Sequence, residues 1–138
     1  MIRIYIIRHG ETEPNTRFAC VGRSDVPLND TGLIQAEELD PVRYKEWQDN
    51  YIEYTIPHGE SLMEVQKRVD IFLDKLLPMY DGKTVFLVTH LCTTRHIIAR
   101  LLGLEPEMSR RFTMKNAHYA IIDYDNDVGF GVIKYLNI

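Results

Sequence analysis

Two histidines follow apolar, β-branched segments of the chain, a place where α/β proteins often carry their chemistry. Arg8 separates His9 from the segment Arg3–Ile7, and Thr89 separates His90 from the segment Thr84–Val88. A neutral imidazole is a good nucleophile toward phosphorus near neutral pH, because its ordinary pKa is about 6.5. An adjacent guanidinium can hold a phosphoryl oxygen through paired hydrogen bonds. The pattern therefore predicts phosphoryl chemistry at His9 with Arg8 as a phosphate ligand; the alternative is a histidine that merely ends a strand.

The elements that must position these histidines alternate between strand and helix patterns. The predicted strands are Arg3–Ile7, Thr84–Val88, Ala117–Tyr124 and Phe130–Leu136, and the predicted helices are Thr31 to about Leu39, one that begins at the capping-box pattern Ser61–Glu64, and Thr93–Leu102. This order predicts an α/β fold with a mostly parallel central sheet flanked by helices. Ligands of such sheets bind beyond the carboxyl ends of the strands, so both histidines should meet at one edge.

Two further segments have less regular patterns. Residues 8–30 are rich in Gly, Pro, Asn and Asp and read as a long loop, which in a compact domain is usually functional. Residues 40–57 have proline near each end and mixed polarity, so helix and loop both fit this segment.

Composition restricts the class of protein. The 138 residues suit a single domain spanning 1–138, and 45% hydrophobic with 26% charged residues is an ordinary globular balance. The net charge of −4 argues against a nucleic-acid or membrane surface, and the N-terminus lacks a signal-peptide pattern. Cys20 and Cys92 form no disulfide or zinc framework, so we expect a reducing, cytoplasmic location and no bound metal.

In its motifs the chain resembles the histidine phosphatase superfamily, which includes the cofactor-dependent phosphoglycerate mutases. The strongest likeness is the RHGET signature at Arg8–Thr12. The other matching segments, in the family's order, are Asn15, Gly22–Leu28, Gly32 with Gln35-Ala36, Gly59–Ser61, Val88–His90 and Asn116-Ala117. The likeness covers most of the chain and implies a phosphoglycerate mutase-like fold.

This resemblance implies a reaction through a phosphohistidine. His9 would attack the phosphorus, and Arg8, Asn15, His90 and the N–H of Leu91 would bind the phosphoryl oxygens. Water would then release phosphate from His9. The implied partner is a small phosphorylated substrate or inorganic phosphate, and the implied chemistry uses no cofactor.

The chain also departs from the family pattern after its Gln35-Ala36 helix. One strand–helix unit, which in the family supplies a second phosphate-binding arginine, has no counterpart here. Pro41 stands where the family keeps its general-acid glutamate, which leaves the carboxylates of Asp40, Glu38 and Glu11 as candidate acids. Leu91 replaces the usual glycine after the second histidine.

These departures leave two functions open. The first is a phosphomonoester hydrolase acting on a small metabolite, with mutase activity not expected. The second is a catalytically impaired relative that binds a phosphorylated ligand or a protein partner. The missing strand should also leave a sheet edge open, and open edges pair readily, so a homodimer through that edge is expected.

Overall fold

The computed structural model describes residues 1–8, 41–55 and 60–138. Its elements are β1 (Ile2–Arg8), α1 (Pro41–Asp49), α2 (Leu62–Met79), β2 (Thr84–Thr89), α3 (Leu91–Leu101), a 3-10 helix (Pro106–Arg111), β3 (Tyr119–Asp125) and β4 (Phe130–Leu136). The four predicted strands are confirmed, and the ambiguous segment contains α1. The helix predicted at Thr31 to about Leu39 lies outside the described residues.

The four strands form one mixed sheet in the order β2-β1-β3-β4. β1 and β2 are parallel, whereas the β1–β3 and β3–β4 pairs are antiparallel. The prediction of a mostly parallel sheet is therefore wrong. A short turn over residues 126–129 reverses the chain between β3 and β4. β3 also begins beside the end of β1, where the N–H of Arg8 donates to the carbonyl of His118 at 3.0 Å.

The hydrophobic core lies between one face of this sheet and helices α2 and α3. Ile2, Ile4 and Ile6 on alternate positions of β1 are fully buried, as the two-residue period of a strand requires. Burying each such side chain contributes roughly 1.5–3 kcal/mol. The helices and β3 complete the core with Val69, Leu73, Leu76, Leu77, Ile97, Ile98, Leu101, Ala120, Ile122 and Tyr124.

Helix α2 begins at a complete capping box, as predicted. The hydroxyl of Ser61 accepts from the N–H of Glu64 at 3.2 Å, and the N–H of Ser61 donates to Glu64 Oε2 at 2.7 Å. The N–H of Ser61 and its hydroxyl, which donates to the same Oε2 atom at 3.0 Å, stabilise the carboxylate and lower the pKa of Glu64. The buried face of α2 includes Val69 and Leu73, whereas Phe72 is 45% exposed.

A buried polar contact joins α2 to α3. Nδ1 of His96 lies 2.8 Å from Oε1 of Gln66, and Nε2 of Gln66 donates to Asp70 at 2.7 Å. Since the amide oxygen can only accept, the ring donates from Nδ1. His96 is 1% exposed, and burial lowers its pKa. Arg100 adds ion pairs from α3 to Asp70 and Asp74 of α2.

The opposite face of the sheet is more mixed. Arg3 of β1 makes two bonds of 2.7 and 2.8 Å to the buried carboxylate of Asp123 on β3, and this lowers the pKa of Asp123. Tyr5 stacks on Phe86 of β2, with ring centroids 4.6 Å apart. Across residues 1–8, 41–55 and 60–138, no helix is long and apolar enough to cross a membrane.

Candidate active site

The carboxyl ends of β1 and β2 lie side by side. The two strands pair in parallel with Arg8 opposite Thr89, and the residue after each is one of the two predicted histidines. His90 is described and is exposed, whereas His9 lies outside the described residues. The register therefore carries both chain segments to the same edge of the sheet, as the sequence predicted for their ends.

His90 forms the first boundary of helix α3. Its backbone is extended, with φ −95° and ψ 159°, and its carbonyl accepts from the N–H of Thr94 at 2.8 Å. Its imidazole does not bond to the first-turn amides of α3, although the preferred residues at this position do so through a side-chain oxygen. The start of a helix carries a partial positive charge and favours anions. His90 therefore occupies a helix start that favours anions, and it is not one of the residue types that cap helices best.

Leu91 is the first residue of α3, in the position where the family pattern has glycine. Its side chain is half-buried and packs against the hydrophobic core. The core thus accommodates the larger side chain, and the backbone N–H of Leu91 stays in the first turn of the helix.

Arg8 is fixed by a segment that we call the strap, residues 112–118, between the 3-10 helix and β3. Nη1 of Arg8 donates to the carbonyl of Met114 at 2.7 Å, and its backbone carbonyl accepts from the N–H of Ala117 at 3.1 Å. Ala117 has a φ of 57°, an uncommon conformation for a residue with a side chain. These contacts orient the guanidinium at the end of β1.

Helix α3 holds the other end of the strap. Nε of Arg95 donates to the carbonyl of Phe112 at 2.7 Å. Arg95 therefore supports the strap. The strap was not predicted, because its bond to Arg8 joins residues 106 positions apart and no local pattern marks it.

A charged pair joins helix α2 to the residue that precedes its cap. Arg68 makes two bonds, of 2.6 and 2.8 Å, to the carboxylate of Glu60. The bond to Glu60 is the main reason that the pKa of Arg68 is raised, and the proximity of Cys92 adds to this. The charge of Arg68 is thus largely neutralised by Glu60.

Several predicted site residues lie outside the described parts of the chain, so their roles remain predictions; besides His9 they are Asn15, Glu11, Glu38 and Asp40. Cys92 and His96 stand four residues apart on α3, a spacing that two metal ligands on one helix can have. Cys92 is exposed and His96 is buried against Gln66, so the two do not share an open surface. The described ranges hold no group of three or more side chains suited to a metal ion.

Comparison with known proteins places these features in context. The model of the histidine phosphatase superfamily (branch 1) matches residues 4–42 and 37–137. A probable phosphoglycerate mutase GpmB of Proteus mirabilis is 23% identical over 186 residues, covering 91% of this chain and 86% of that protein. The structure of a putative alpha-ribazole-5'-P phosphatase from Escherichia coli aligns with a TM-score of 0.79 at 19% identity, covering 100% and 98% of the two chains. A phosphoserine phosphatase mutant from Entamoeba histolytica, in complex with phosphoserine, gives a TM-score of 0.71 at 20% identity, covering 99% and 97%.

The same comparisons locate a shortening inside this chain. An alignment of 186 residues is longer than the 138 residues available, so the relative contains internal residues without a counterpart here. The two matched segments of the family model meet at residues 37–42. That junction contains Asp40 and Pro41, where the sequence indicated that a strand–helix unit is missing.

Proposed function

Since the chain belongs to the histidine phosphatase superfamily, we propose that it is a phosphomonoester hydrolase acting through a phosphohistidine at His9. The substrate class is a small phosphorylated metabolite. The observation that carries the proposal is the parallel register of Arg8 with Thr89, which sets the segments leading to His9 and His90 next to each other. The first turn of α3, which follows His90, adds N–H groups and a partial positive charge that favour a phosphoryl group.

The reaction has two displacements at phosphorus. A ring nitrogen of His9 attacks in line, the bond from phosphorus to the ester oxygen breaks, and the alkoxide or aryloxide leaves with the electron pair. Water then attacks the phosphohistidine, the P–N bond breaks, and inorganic phosphate leaves. Arg8 holds one phosphoryl oxygen, and the N–H groups at the start of α3 with His90 hold the others. Preorganised donors of this kind supply most of the stabilisation in phosphoryl transfer.

The weak point of this site is the general acid. By resemblance the acid would stand at Pro41, which has no proton to give and is the first residue of α1. A missing acid costs about 10² to 10⁴ in rate for leaving groups that must be protonated. The site therefore favours aryl phosphates, whose leaving group is stable as an anion, unless Asp40, Glu38 or Glu11 donates the proton.

A second candidate function follows from the same residue. With Pro41 at the acid position and the second arginine missing, the chain would hold a phosphorylated ligand without turning it over. The oriented guanidinium of Arg8, bonded to Met114 at 2.7 Å, supports binding in either case. Catalysis and binding alone therefore need an experiment that separates them.

The experiment compares steady-state hydrolysis of an aryl phosphate and an alkyl phosphate by the wild type and by His9→Ala. The hydrolase proposal predicts aryl-phosphate turnover that is lost in the variant, with the alkyl phosphate hydrolysed much more slowly. Comparable rates on both esters would mean that one of the three carboxylates acts as the acid. Vanadate or phosphate binding without any turnover above the variant would favour the binding function.

A further inference from the structure

We propose that the open edge of β2 pairs with the same edge of a second copy of this chain, forming a two-fold homodimer with one continuous sheet. Within the described ranges, β1 is the sole neighbour of β2. The carbonyl of Lys83 accepts from Arg3 at 3.0 Å, and strand groups alternate in direction, so the carbonyls of Val85 and Leu87 also face β1. The N–H and C=O groups of Thr84, Phe86 and Val88 then face the open side.

The side chains along this edge are unusually apolar for an exposed strand. Phe86 is 62% exposed and Val88 is 66% exposed, on the same face of β2. The strand Thr84–Thr89 contains no charged residue and no proline, the two features that usually protect a sheet edge from pairing. Such an edge is a template for another strand.

The other edge of the sheet is protected. β4 carries a register irregularity opposite Ile121 and Ile122, and Lys134 stands exposed in that stretch. A bulge with a lysine discourages pairing. One pairing edge and one protected edge give a closed dimer, whereas two open edges would give an extended chain of copies.

The chemistry of the edge favours a second copy as its occupant, because the strand complements itself. A two-fold axis normal to the sheet joins two identical edges by antiparallel pairing and keeps each face on its own side. With this axis at Leu87, Phe86 of each copy lies opposite Val88 of the other. Both residues direct their backbone groups outward, so they form hydrogen-bonded pairs with apolar side chains in contact. An axis at Phe86 would instead set the polar Thr84 against Val88.

The same axis has a consequence for the site, which rests on the proposed function. It sets Thr84 of one copy opposite His90 of the other, and the preceding residue is the exposed Lys83. Lys83 of the partner subunit would then stand beside the start of α3, supplying positive charge where the family pattern has a second arginine and this chain has none. The dimer itself does not depend on this consequence.

Sedimentation of the whole chain at micromolar concentration tests the dimer. Wild type is expected at twice the monomer mass, and Val88→Lys at the monomer mass, because a charge would be placed in the pairing edge. Val132→Lys is the matched control: Val132 is 52% exposed on the protected edge, so this variant should remain dimeric. A monomeric wild type, or equal effects of the two substitutions, would overturn the proposal. Circular dichroism checks that both variants are folded.

Disulfide capture tests the register. In chains with Cys20→Ser and Cys92→Ser, mixing a Phe86→Cys chain with a Val88→Cys chain should give an intermolecular disulfide on oxidation. Neither chain alone should cross-link to the same extent. Efficient cross-linking of the Phe86→Cys chain with itself would place the axis at Phe86 and contradict the proposed register.

Binding of inorganic phosphate tests the contribution of Lys83. Lys83→Ala and Val88→Lys should each weaken binding several-fold, and the double variant should be no weaker than either. If Val88→Lys dissociates the dimer while phosphate affinity stays at the wild-type value, the dimer stands and the role of Lys83 is wrong. If wild type binds no phosphate, the proposed function fails independently of the dimer.

Discussion

Helices α2 and α3 lie against the same face of the sheet but begin in opposite ways. α2 begins at Ser61, whose hydroxyl and N–H both bond to Glu64 in a complete capping box. α3 begins at His90, whose imidazole makes no bond to the first-turn amides. Ser61 is 4% exposed, whereas His90 is exposed.

The difference separates stability from chemistry. A capping side chain stabilises a helix by satisfying its first N–H groups, and Ser, Thr, Asp and Asn do this best. Histidine at the same position forgoes that contribution. In the proposed mechanism, the first turn of α3 binds the oxygens of the phosphoryl group instead. Substitutions at Ser61 should therefore change stability, and substitutions at His90 should change activity.

The largest expected effect is on catalysis at the start of α3. His90→Ala removes one donor to the transferring phosphoryl group, which should lower kcat by about 10² to 10³, or roughly 3–4 kcal/mol of transition-state stabilisation. Steady-state hydrolysis of an aryl phosphate measures this loss. A rate near the wild-type value would mean that His90 does not touch the substrate.

A smaller effect, on stability and not on activity, is expected at the start of α2. Ser61→Ala removes the hydroxyl acceptor of the capping box and should lower the free energy of unfolding by about 1 kcal/mol, within a range of roughly 0.5–2. Urea denaturation measures the change, and kcat/KM should be unchanged. A loss of activity without a loss of stability would contradict the assignment of this helix start to folding.

A capping residue in place of His90 should make the start of α3 more stable than alanine does. His90→Ser supplies a capping hydroxyl to α3, so it should be more stable than His90→Ala by about 1 kcal/mol, while both lose activity. Urea denaturation of the two variants side by side removes the effect of losing the imidazole. Equal stabilities would show that the first-turn amides of α3 are already satisfied in another way.

The smallest expected effect is a pH dependence of the contact between the two helices. Burial lowers the pKa of His96 in the folded state, so the unfolded chain takes up this proton first. The contribution of neutral His96 to the stability of the folded state is therefore intact above its unfolded pKa of about 6.5, and it is lost as the pH falls below that value. Melting temperatures between about pH 7.5 and 5.5 should fall in wild type and fall less in His96→Gln.

The control for this measurement is His118→Gln, which removes an imidazole that is only half-buried and bonded to the carbonyl of Asn116 at 2.9 Å. We expect the melting temperature of this variant to fall as the pH is lowered, as it does in the wild type. If His96→Gln and His118→Gln flatten the pH dependence equally, burial of His96 is not the cause.

The sequence was most informative where structure depends on local pattern. The β-branched run Arg3–Ile7 predicts a strand, found at Ile2–Arg8, and Ser61 with Glu64 predicts the start of α2. The start of α3 was placed at Thr93, two residues late, because His90 is not a residue type that marks a helix start.

The features that the sequence did not predict depend on contacts between distant segments. Strand direction is one, because residues 119–125 read as a strand whether the neighbouring strand is parallel or antiparallel. The strap is another, because Arg8 reaches the carbonyl of Met114, and a carbonyl acceptor leaves no signature in residue type. The strand ends carrying the histidines were predictable, but the contacts that orient Arg8 were not.

Trapping the phosphoenzyme tests most directly whether His9 carries the phosphoryl group during turnover. The wild type and His9→Ala are mixed with an aryl phosphate, quenched under alkaline conditions that preserve phosphohistidine, and mapped by peptide mass spectrometry. We expect one phosphoryl group on the peptide containing His9, formed within the first turnover and absent from the variant. Turnover of the aryl phosphate with no phosphoryl group on His9, or with the group on another side chain, would contradict it.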